Sequence, residues 1–499
     1  MSRSISKNAF FKAVLNVSNI ILPIIVMPIV LSAIQDKLNG YMTMGETWTA
    51  VFMIFASFGV YQYGLREVSK VRDDKDKLTK TITSLFVITT TTTAVTSIFY
   101  AIFLTIFHRN DAYFYTCMVM GLNIVFNMFN VEWINEALEN YDFIALKTMI
   151  IKIIYNLLTI CFVKTQADFL FYIYLTCGIN FINNISSFIY IKKTIHFNFS
   201  DLQIKKHIKP MFSVVILANT YILYTWLDKN MLNSNLGSTE AGYYGVAQKI
   251  MSMIDILMFT IVQVSMARLS NYLENHSKEV YLTLLNKVIK IYFLFLFPAS
   301  IGLLGVSKQV IIIMGKGTDI YLPAVPLLMV FSIYMLTIGI DRIISDQIIY
   351  IFGREKTDAK LVFIGGILNL ILNALLIFNN MFTPTKVIAT TLVSNLVVMA
   401  LEYRLVKNEL NINIRLFAFE NFKYLYYSLI FIPITFVINN FISGTILSCI
   451  LDILACCSIY FIILIATRDS VFFGLLSIVF KKLKVLVNCT FFSNRRNSK

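Results

Sequence analysis

The sequence predicts an all-α membrane protein with about 14 transmembrane helices. Of its 499 residues, 57% are hydrophobic and only 14% are charged, whereas a soluble globular domain carries about 25% charged residues. The apolar segments are mostly about 20 residues long, which is enough for a helix to cross a hydrocarbon core of about 30 Å. They are too long and too continuous to be the alternating strands, about 10 residues each, of a membrane barrel.

The distribution of basic residues supports the number of spans and sets their direction. With the N-terminus inside, 34 Lys and Arg residues fall on the cytoplasmic side and 8 fall outside. Cytoplasmic loops of membrane proteins show this asymmetry, so both termini are predicted to be cytoplasmic. The predicted spans are 10–34, 47–65, 81–107, 112–131, 148–163, 168–191, 208–230, 241–266, 281–306, 322–345, 360–378, 386–403, 422–440 and 445–466.

A weak internal repeat divides the first twelve spans into two pseudo-symmetric lobes of six helices. Gly40 lies 26 residues before Arg66, Gly242 lies 26 residues before Arg268, and a tyrosine follows each glycine. Because each lobe holds an even number of helices, the lobes are predicted to be parallel repeats. The predicted domains are an N-lobe at 1–200, a C-lobe at 201–410, and a segment at 411–499 with two extra helices and an amphipathic, basic cytoplasmic tail.

Composition and motifs exclude several classes of function. The net charge of +15 is explained by the basic cytoplasmic loops, so no nucleic-acid partner is expected. The seven cysteines and four histidines show no metal-binding spacing, and no glycine-rich phosphate loop is present. We therefore expect no metal and no cofactor. The outer loops are too short for a catalytic domain, so the chain is predicted not to be an enzyme.

Polar residues inside the predicted spans are the candidate functional residues. A charge in the bilayer costs at least a few kcal/mol, so it tends to face a watery cavity or a partner. Lys and Arg suit a phosphorylated headgroup, and amides suit sugars. Ion pairs, snorkelling side chains and hydrogen bonds between helices are the alternative interpretation. The substrate-binding candidates are Lys12, Arg66, Lys249, Arg342, Asn123 and Asn127, and the ion-coupling candidates are Asp255, Asp228 and Asp341.

Several short motifs, in a fixed order over nearly 400 residues, resemble one family. The longest is NVEWINEALENYDFIALKTMIIK at 130–152. The others are YGLREVSKVRDD at 63–74, HIKPMF at 207–212, AGYYGVAQKI at 241–250 and NLILNALLIF at 369–378. Together they resemble the polysaccharide-transporter flippases of the multidrug/oligosaccharidyl-lipid/polysaccharide exporter superfamily. Residues 136–141 look closest to the teichoic-acid repeat-unit flippases of Gram-positive bacteria. Ala267 departs from the family, which usually has proline there.

The resemblance implies two lobes around a central cleft and a flippase that works by alternating access. The implied substrate is an undecaprenyl-diphosphate-linked glycan, with a teichoic-acid unit as first choice and a capsular unit as second. It would move from the inner to the outer leaflet of a bacterial cytoplasmic membrane, driven by H⁺, Na⁺ or the membrane potential. The expected partners are this lipid-linked glycan and membrane lipids, and the expected state is monomeric.

Two other functions stay open from the sequence. One is a multidrug or cation antiporter of the same superfamily, which would favour acids over bases in its cleft. The other is a membrane glycosyltransferase or polymerase, which would need a large outer loop with catalytic residues.

Overall fold

The computed structural model describes residues 5–218, 220–414 and 416–477, and all regular structure in these ranges is helical. The predicted all-α class is therefore confirmed. Side chains are described from Leu22 onward, except at 213–214, 216–223 and 267. The basic residues of the tail after residue 477, and the end of the predicted amphipathic stretch, lie outside the described residues.

The helices follow one another with short connections. The first ten are α1 (Ile5–Ser57), α2 (Val60–Val71), α3 (Lys75–Phe107), α4 (Phe114–Met120), α5 (Leu122–Phe126), α6 (Glu132–Ala137), α7 (Tyr141–Phe162), α8 (Phe169–Thr194), α9 (Ile204–Ala218) and α10 (Thr220–Leu236). The remaining helices are α11 (Ser238–Asn275), α12 (Lys278–Gly305), α13 (Ser307–Met314), α14 (Ala324–Ile344), α15 (Glu355–Phe378), α16 (Pro384–Asn408), α17 (Phe419–Leu429), α18 (Phe431–Phe441) and α19 (Thr445–Ala466).

Eleven helical segments in the described part of the chain are long and apolar enough to cross a membrane. The first, Leu22–Val71, covers the second predicted span and residues 22–34 of the first. It is interrupted at Gln35, whose φ of 59° and ψ of −173° are not helical. The sixth predicted span coincides with α8, and the seventh is divided between α9 and α10. Every predicted span thus falls on helix, but the number fourteen is not confirmed.

The chain forms two compact units that are not continuous in sequence. Unit 1 contains the described residues up to Ile250, together with Ile311–Leu327 and Glu355–Val398. Unit 2 contains Met251–Val310, Leu328–Arg354 and the described residues from Met399 onward. Helices α11, α14 and α16 each begin in unit 1 and end in unit 2. The two units therefore do not coincide with the two predicted six-helix repeats. The predicted lobe boundaries at 200 and 410 stay a prediction.

In unit 1, the two glycines of the internal repeat pack against each other. A Cβ placed on Gly242 would lie 2.9 Å from the Cα of Gly40, so neither position accepts a side chain without movement. Asn39 Nδ2 donates to the carbonyl of Gly242 at 3.2 Å, and Tyr243 donates to Asp36 at 2.9 Å. The repeat found in the sequence thus marks a direct contact between α1 and α11.

Unit 2 contains a long apolar groove. Its volume is about 560 Å³, and its walls come from α12, α18, α19 and the helical residues 470–477. Asp469 starts the last of these helices, because its side chain accepts from the backbone N–H groups of Val471 and Phe472. Burial raises the pKa of Asp469, but its contacts with Lys423 and these N–H groups outweigh burial and hold the pKa below its usual value.

Candidate functional site

The segment that carries the resemblance is held by a buried ion pair. Lys147 on α7 is buried, and its Nζ donates to Glu132 Oε2 at 2.9 Å and to Ser187 Oγ at 2.6 Å. The same ammonium donates to the carbonyl of Asn183 at 3.3 Å. A buried lysine needs such partners, because an unpaired charge in this setting is costly. This ion pair therefore joins α6, α7 and α8, and we assign it to packing.

Two of the motifs that resemble the family contact each other directly. A Cβ on Gly64 would lie 2.6 Å from the ring of Trp133, which is almost fully buried. Only glycine lets the backbone of α2 approach this indole so closely. Arg72 and Glu139 form an exposed ion pair at 2.7 Å beside this contact. The motifs at 63–74 and 130–152 thus form one packed substructure of unit 1.

A cluster of two lysines and one glutamate lies among the helices of unit 1. Lys249 on α11 pairs with Glu46 on α1 at 2.7 Å, and both side chains are about one third exposed. Lys229 on α10 lies within electrostatic range of both groups and of its neighbour Asp228, but among the described residues it forms no ion pair at contact distance. The three residues, here called the Lys229–Lys249 cluster, place two cations against one acid, with the buried Asp228 next to Lys229. They can attract an anion.

Asp228 lies in a cage of neutral hydrogen-bond donors. Its side chain is fully buried, and it accepts from Tyr244 at 2.7 Å, Asn373 at 3.0 Å and Thr391 at 2.5 Å. Asn369 extends the network by donating to Thr391 at 2.6 Å. The donors come from α11, α15 and α16, so the carboxylate ties four helices together. Hydroxyl and amide oxygens can also turn toward a small cation, which makes this cage a candidate ion site.

Asp255 and Arg342, which the sequence assigned to different roles, are partners in unit 2. Asp255 on α11 accepts from Arg342 on α14 at 2.8 Å. The guanidinium also lies 4.2 Å from the ring centre of Phe259, within cation–π distance. Asp341 precedes this arginine on α14 and is buried. The geometry assigns the pair to helix–helix contact, and its role in transport stays a prediction.

Both predicted asparagines take part in contacts between helices. Asn123 accepts from Asn180 on α8 at 2.9 Å. Asn127 is buried and donates to Thr93 on α3 at 3.2 Å. These bonds favour the alternative interpretation, in which amides link helices inside the bilayer. Sugar binding by these two amides stays a prediction.

Arg66 and Lys12 complete the set of predicted residues. The Arg66 side chain is 63% exposed, and its Nε lies 3.4 Å from Glu67. An exposed arginine within α2 suits contact with lipid headgroups as well as with a substrate. The side chain of Lys12 lies outside the described residues.

The structure adds residues that the sequence reasoning missed. Glu46 and Lys229 are not among the site residues that the sequence predicts. Asn373 and Thr391 lie in apolar spans beside other polar residues. The four-residue spacing of Asn369 and Asn373 puts both on one helix face, and this signal could have identified the cage around Asp228.

Solved structures of two transporters have the same fold. A lipid II flippase, MurJ, in an inward closed conformation superposes with a TM-score of 0.71 and 17% identity, covering 92% of this chain and 99% of that one. An inward-facing multidrug resistance transporter of the MATE family superposes with a TM-score of 0.60 and 10% identity, covering 79% and 96%. The chain is therefore a multi-pass membrane protein with the fold of MurJ and MATE transporters.

Sequence comparison identifies the family within that class. The family model described as polysaccharide biosynthesis protein matches residues 5–273, more than half of the chain. The chain belongs to this family. The putative O-antigen transporter of Escherichia coli K12 is 22% identical over 382 residues, which are 74% of this chain and 89% of the relative. The relatives named here are transporters and flippases rather than enzymes, in agreement with the function that the sequence predicts.

Proposed function

We propose that the chain moves an undecaprenyl-diphosphate-linked glycan repeat unit from the inner to the outer leaflet of a bacterial cytoplasmic membrane. A teichoic-acid unit is the first choice, since residues 136–141 look closest to flippases of that substrate, and a capsular unit is the second. The named relatives, an O-antigen transporter and a lipid II flippase, support a lipid-linked glycan as substrate. We place both termini in the cytoplasm and take the monomer as the working unit.

The Lys229–Lys249 cluster is the observation that carries this proposal. A diphosphate headgroup has at least two negative charges, and lysine is a compact positive charge suited to phosphate. Attraction between such charges is far stronger in the low dielectric of a membrane protein than in water. Glu46 holds Lys249 when no substrate is bound. On binding, the headgroup would take the place of Glu46 beside Lys249 and recruit Lys229 as a second cation.

Two of the predicted ion-coupling acids, Asp255 and Asp228, do not favour the alternative of a drug or cation antiporter. Such a protein needs carboxylates that are available to a positively charged substrate. Asp255 is occupied by Arg342, and Asp228 is fully buried among three neutral donors. The two lysines of the Lys229–Lys249 cluster are the cations that would receive an anionic headgroup instead.

Alternating access requires the contact between α1 and α11 to open and close. Gly40 and Gly242 touch, and Tyr243 reaches across to Asp36. By the predicted topology these residues lie toward the outer face, so the described state is closed on that side of unit 1. Release of the glycan to the outer leaflet would need this contact to separate, as when repeats rock against each other. An inside-negative potential assists, since an anion moving outward gains about 2.3 kcal/mol per charge per 100 mV.

The cage around Asp228 is our proposed site for the coupling ion, either H⁺ or Na⁺. D228N keeps the size of the side chain and removes its charge, so transport should fall at least tenfold and lose its dependence on the ion gradient. Transport into vesicles with imposed Na⁺ or pH gradients measures this. The control is D111N, which removes the charge of an exposed acid in the connection between α3 and α4. If D228N keeps the gradient dependence of the wild type, Asp228 is not the coupling site.

Depletion of the protein in cells tests the proposed function. We expect a lipid-linked glycan precursor to accumulate on the cytoplasmic leaflet, because synthesis continues while export stops. Mass spectrometry of extracted lipids identifies the glycan and decides between a teichoic-acid and a capsular unit. Unchanged precursor levels, together with increased sensitivity to cationic drugs, would instead support the antiporter.

A further inference from the structure

A buried acid in unit 2 has no role in the contacts described so far. Asp452 lies within α19, and its side chain has no exposed surface. One carboxylate oxygen, Oδ2, accepts from Gln309 Nε2 at 3.1 Å. The other oxygen, Oδ1, has no hydrogen-bond partner among the described residues. A buried carboxylate oxygen without a partner costs free energy, so something must compensate it.

Gln309 on α13 also has a side-chain oxygen without a hydrogen-bond partner among the described residues. Its side chain is 6% exposed, and its Oε1 also has no partner in the described part of the chain. Its Nε2 uses both hydrogens, one toward Asp452 and one toward Asn439 on α18. Two side chains that are already joined by one hydrogen bond therefore each carry an unpaired oxygen. Both oxygens are acceptors, so a single hydrogen between them would satisfy both.

The described residues offer Asp452 neutral polar partners, Gln309 on α13 and Asn439 on α18, and no positive charge that would stabilise an ionised carboxylate. The acid borders the apolar groove, and α18 and residues 294–305 of α12 have no ionisable side chain. No ion-pair partner for Asp452 occurs among the described residues. The ionisable groups on the elements of unit 2 include the thiols of Cys449 and Cys456, which lie within electrostatic range of Asp452, the exposed Lys308, Lys423 with its partner Asp469, and Asp255 with its partner Arg342.

We infer that Asp452 is a proton-binding site and carries its proton as a neutral carboxylic acid. Oδ1–H then donates to Gln309 Oε1, while Gln309 Nε2 continues to donate to Oδ2, so the acid and the amide form a cyclic pair. No bond other than O–H is made, and the proton comes from water. A buried acid without a counter-charge becomes neutral in this way. A metal ion fits less well, because the site offers few oxygens and Asn439 already accepts a hydrogen bond.

Infrared spectroscopy of the purified full-length protein at pH 7 tests this inference. The spectrum of the wild type minus that of D452N should show the C=O band of a protonated carboxylic acid. Carboxylate bands in their place would overturn the inference. The control is D255N, which removes an acid paired with arginine and should produce carboxylate bands. Exchange of Na⁺ for choline should leave the acid band of Asp452 unchanged. If the acid band appears only when Na⁺ is absent, Asp452 belongs to a sodium site instead.

A second variant keeps the test valid if D452N does not fold. Q309L removes the amide but keeps the acid, so the acid band of Asp452 should shift to the position of a weakly hydrogen-bonded group. If Asp452 is ionised, Q309L will change only carboxylate bands. Thermal unfolding gives an independent result. Since the folded state favours the neutral acid, stability should fall as pH rises in the wild type, and it should fall less in D452N. Parallel pH profiles would contradict the inference.

Discussion

A disulfide between residues 43 and 245 is expected to abolish transport, and reduction is expected to restore it. A Cβ on Gly245 would lie 3.4 Å from the Cβ of Thr43, close to the 3.5–4.5 Å that a disulfide requires. The variant T43C/G245C should therefore crosslink α1 to α11 in the described, closed arrangement. Because the proposed cycle must separate these helices, the oxidised variant should accumulate the lipid-linked precursor as strongly as a depleted cell does.

The controls for this lock are the two single variants and the reduced double variant. T43C should transport glycan under oxidising conditions, and so should the double variant after reduction, which separates the effect of the crosslink from that of the substitutions. G245C alone reports the effect of crowding, because a Cβ there would lie 2.8 Å from Thr43 Oγ1. Crosslinking is confirmed by mass spectrometry of the joined peptides. Full transport by the oxidised, crosslinked protein would show that α1 and α11 do not separate at this point, and the proposed outer opening would be wrong.

Opposite effects are expected when the two partners of the Lys249–Glu46 pair are neutralised one at a time. K249M removes a cation from the proposed headgroup site and should weaken substrate binding more than tenfold. E46Q removes the competing acid, so binding should be unchanged or tighter. If the ion pair is purely structural, the expected result is different. Loss of either partner then leaves a charge uncompensated, so K249M and E46Q should lose similar amounts of binding and stability.

Binding of a soluble undecaprenyl-diphosphate analogue to purified protein measures this difference. K249R is the matched control, because it keeps the charge and should retain most of the affinity. K229M should resemble K249M if both lysines contact the headgroup. Equal losses in K249M and E46Q, together with equal losses of thermal stability, would assign the pair to packing alone.

The general fold was predictable from the sequence because hydrophobic length and the positions of Lys and Arg report directly on membrane crossing. The exact spans were less predictable. The helical geometry of α1 is interrupted at Gln35. No glycine or proline occupies that position, so the sequence does not predict the break. The contact of Gly40 with Gly242 was indicated by the internal repeat. Equivalent positions of two repeats can meet on the symmetry axis that relates the repeats.

The candidate site was only partly predictable, because a sequence shows which residues are charged but not which charges meet. Lys249 was named for its depth in the membrane, whereas its partner Glu46 is about 200 positions away in the chain. Arg342 and Asp255 were given separate roles for the same reason, and the structure pairs them. A single sequence contains no information about such long-range pairing beyond charge sign and membrane depth.

Reconstitution of the purified protein into vesicles tests the central claim most directly. The vesicles contain an undecaprenyl-diphosphate-linked glycan in their inner leaflet, and a membrane-impermeant glycosidase or lectin detects the glycan that reaches the outer leaflet. We expect the wild type to expose the glycan faster than empty vesicles do, and we expect K249M and oxidised T43C/G245C to match empty vesicles. The proposal that this chain is a glycolipid flippase would be contradicted if the wild type exposes the glycan no faster than empty vesicles do while the same preparation transports a cationic drug.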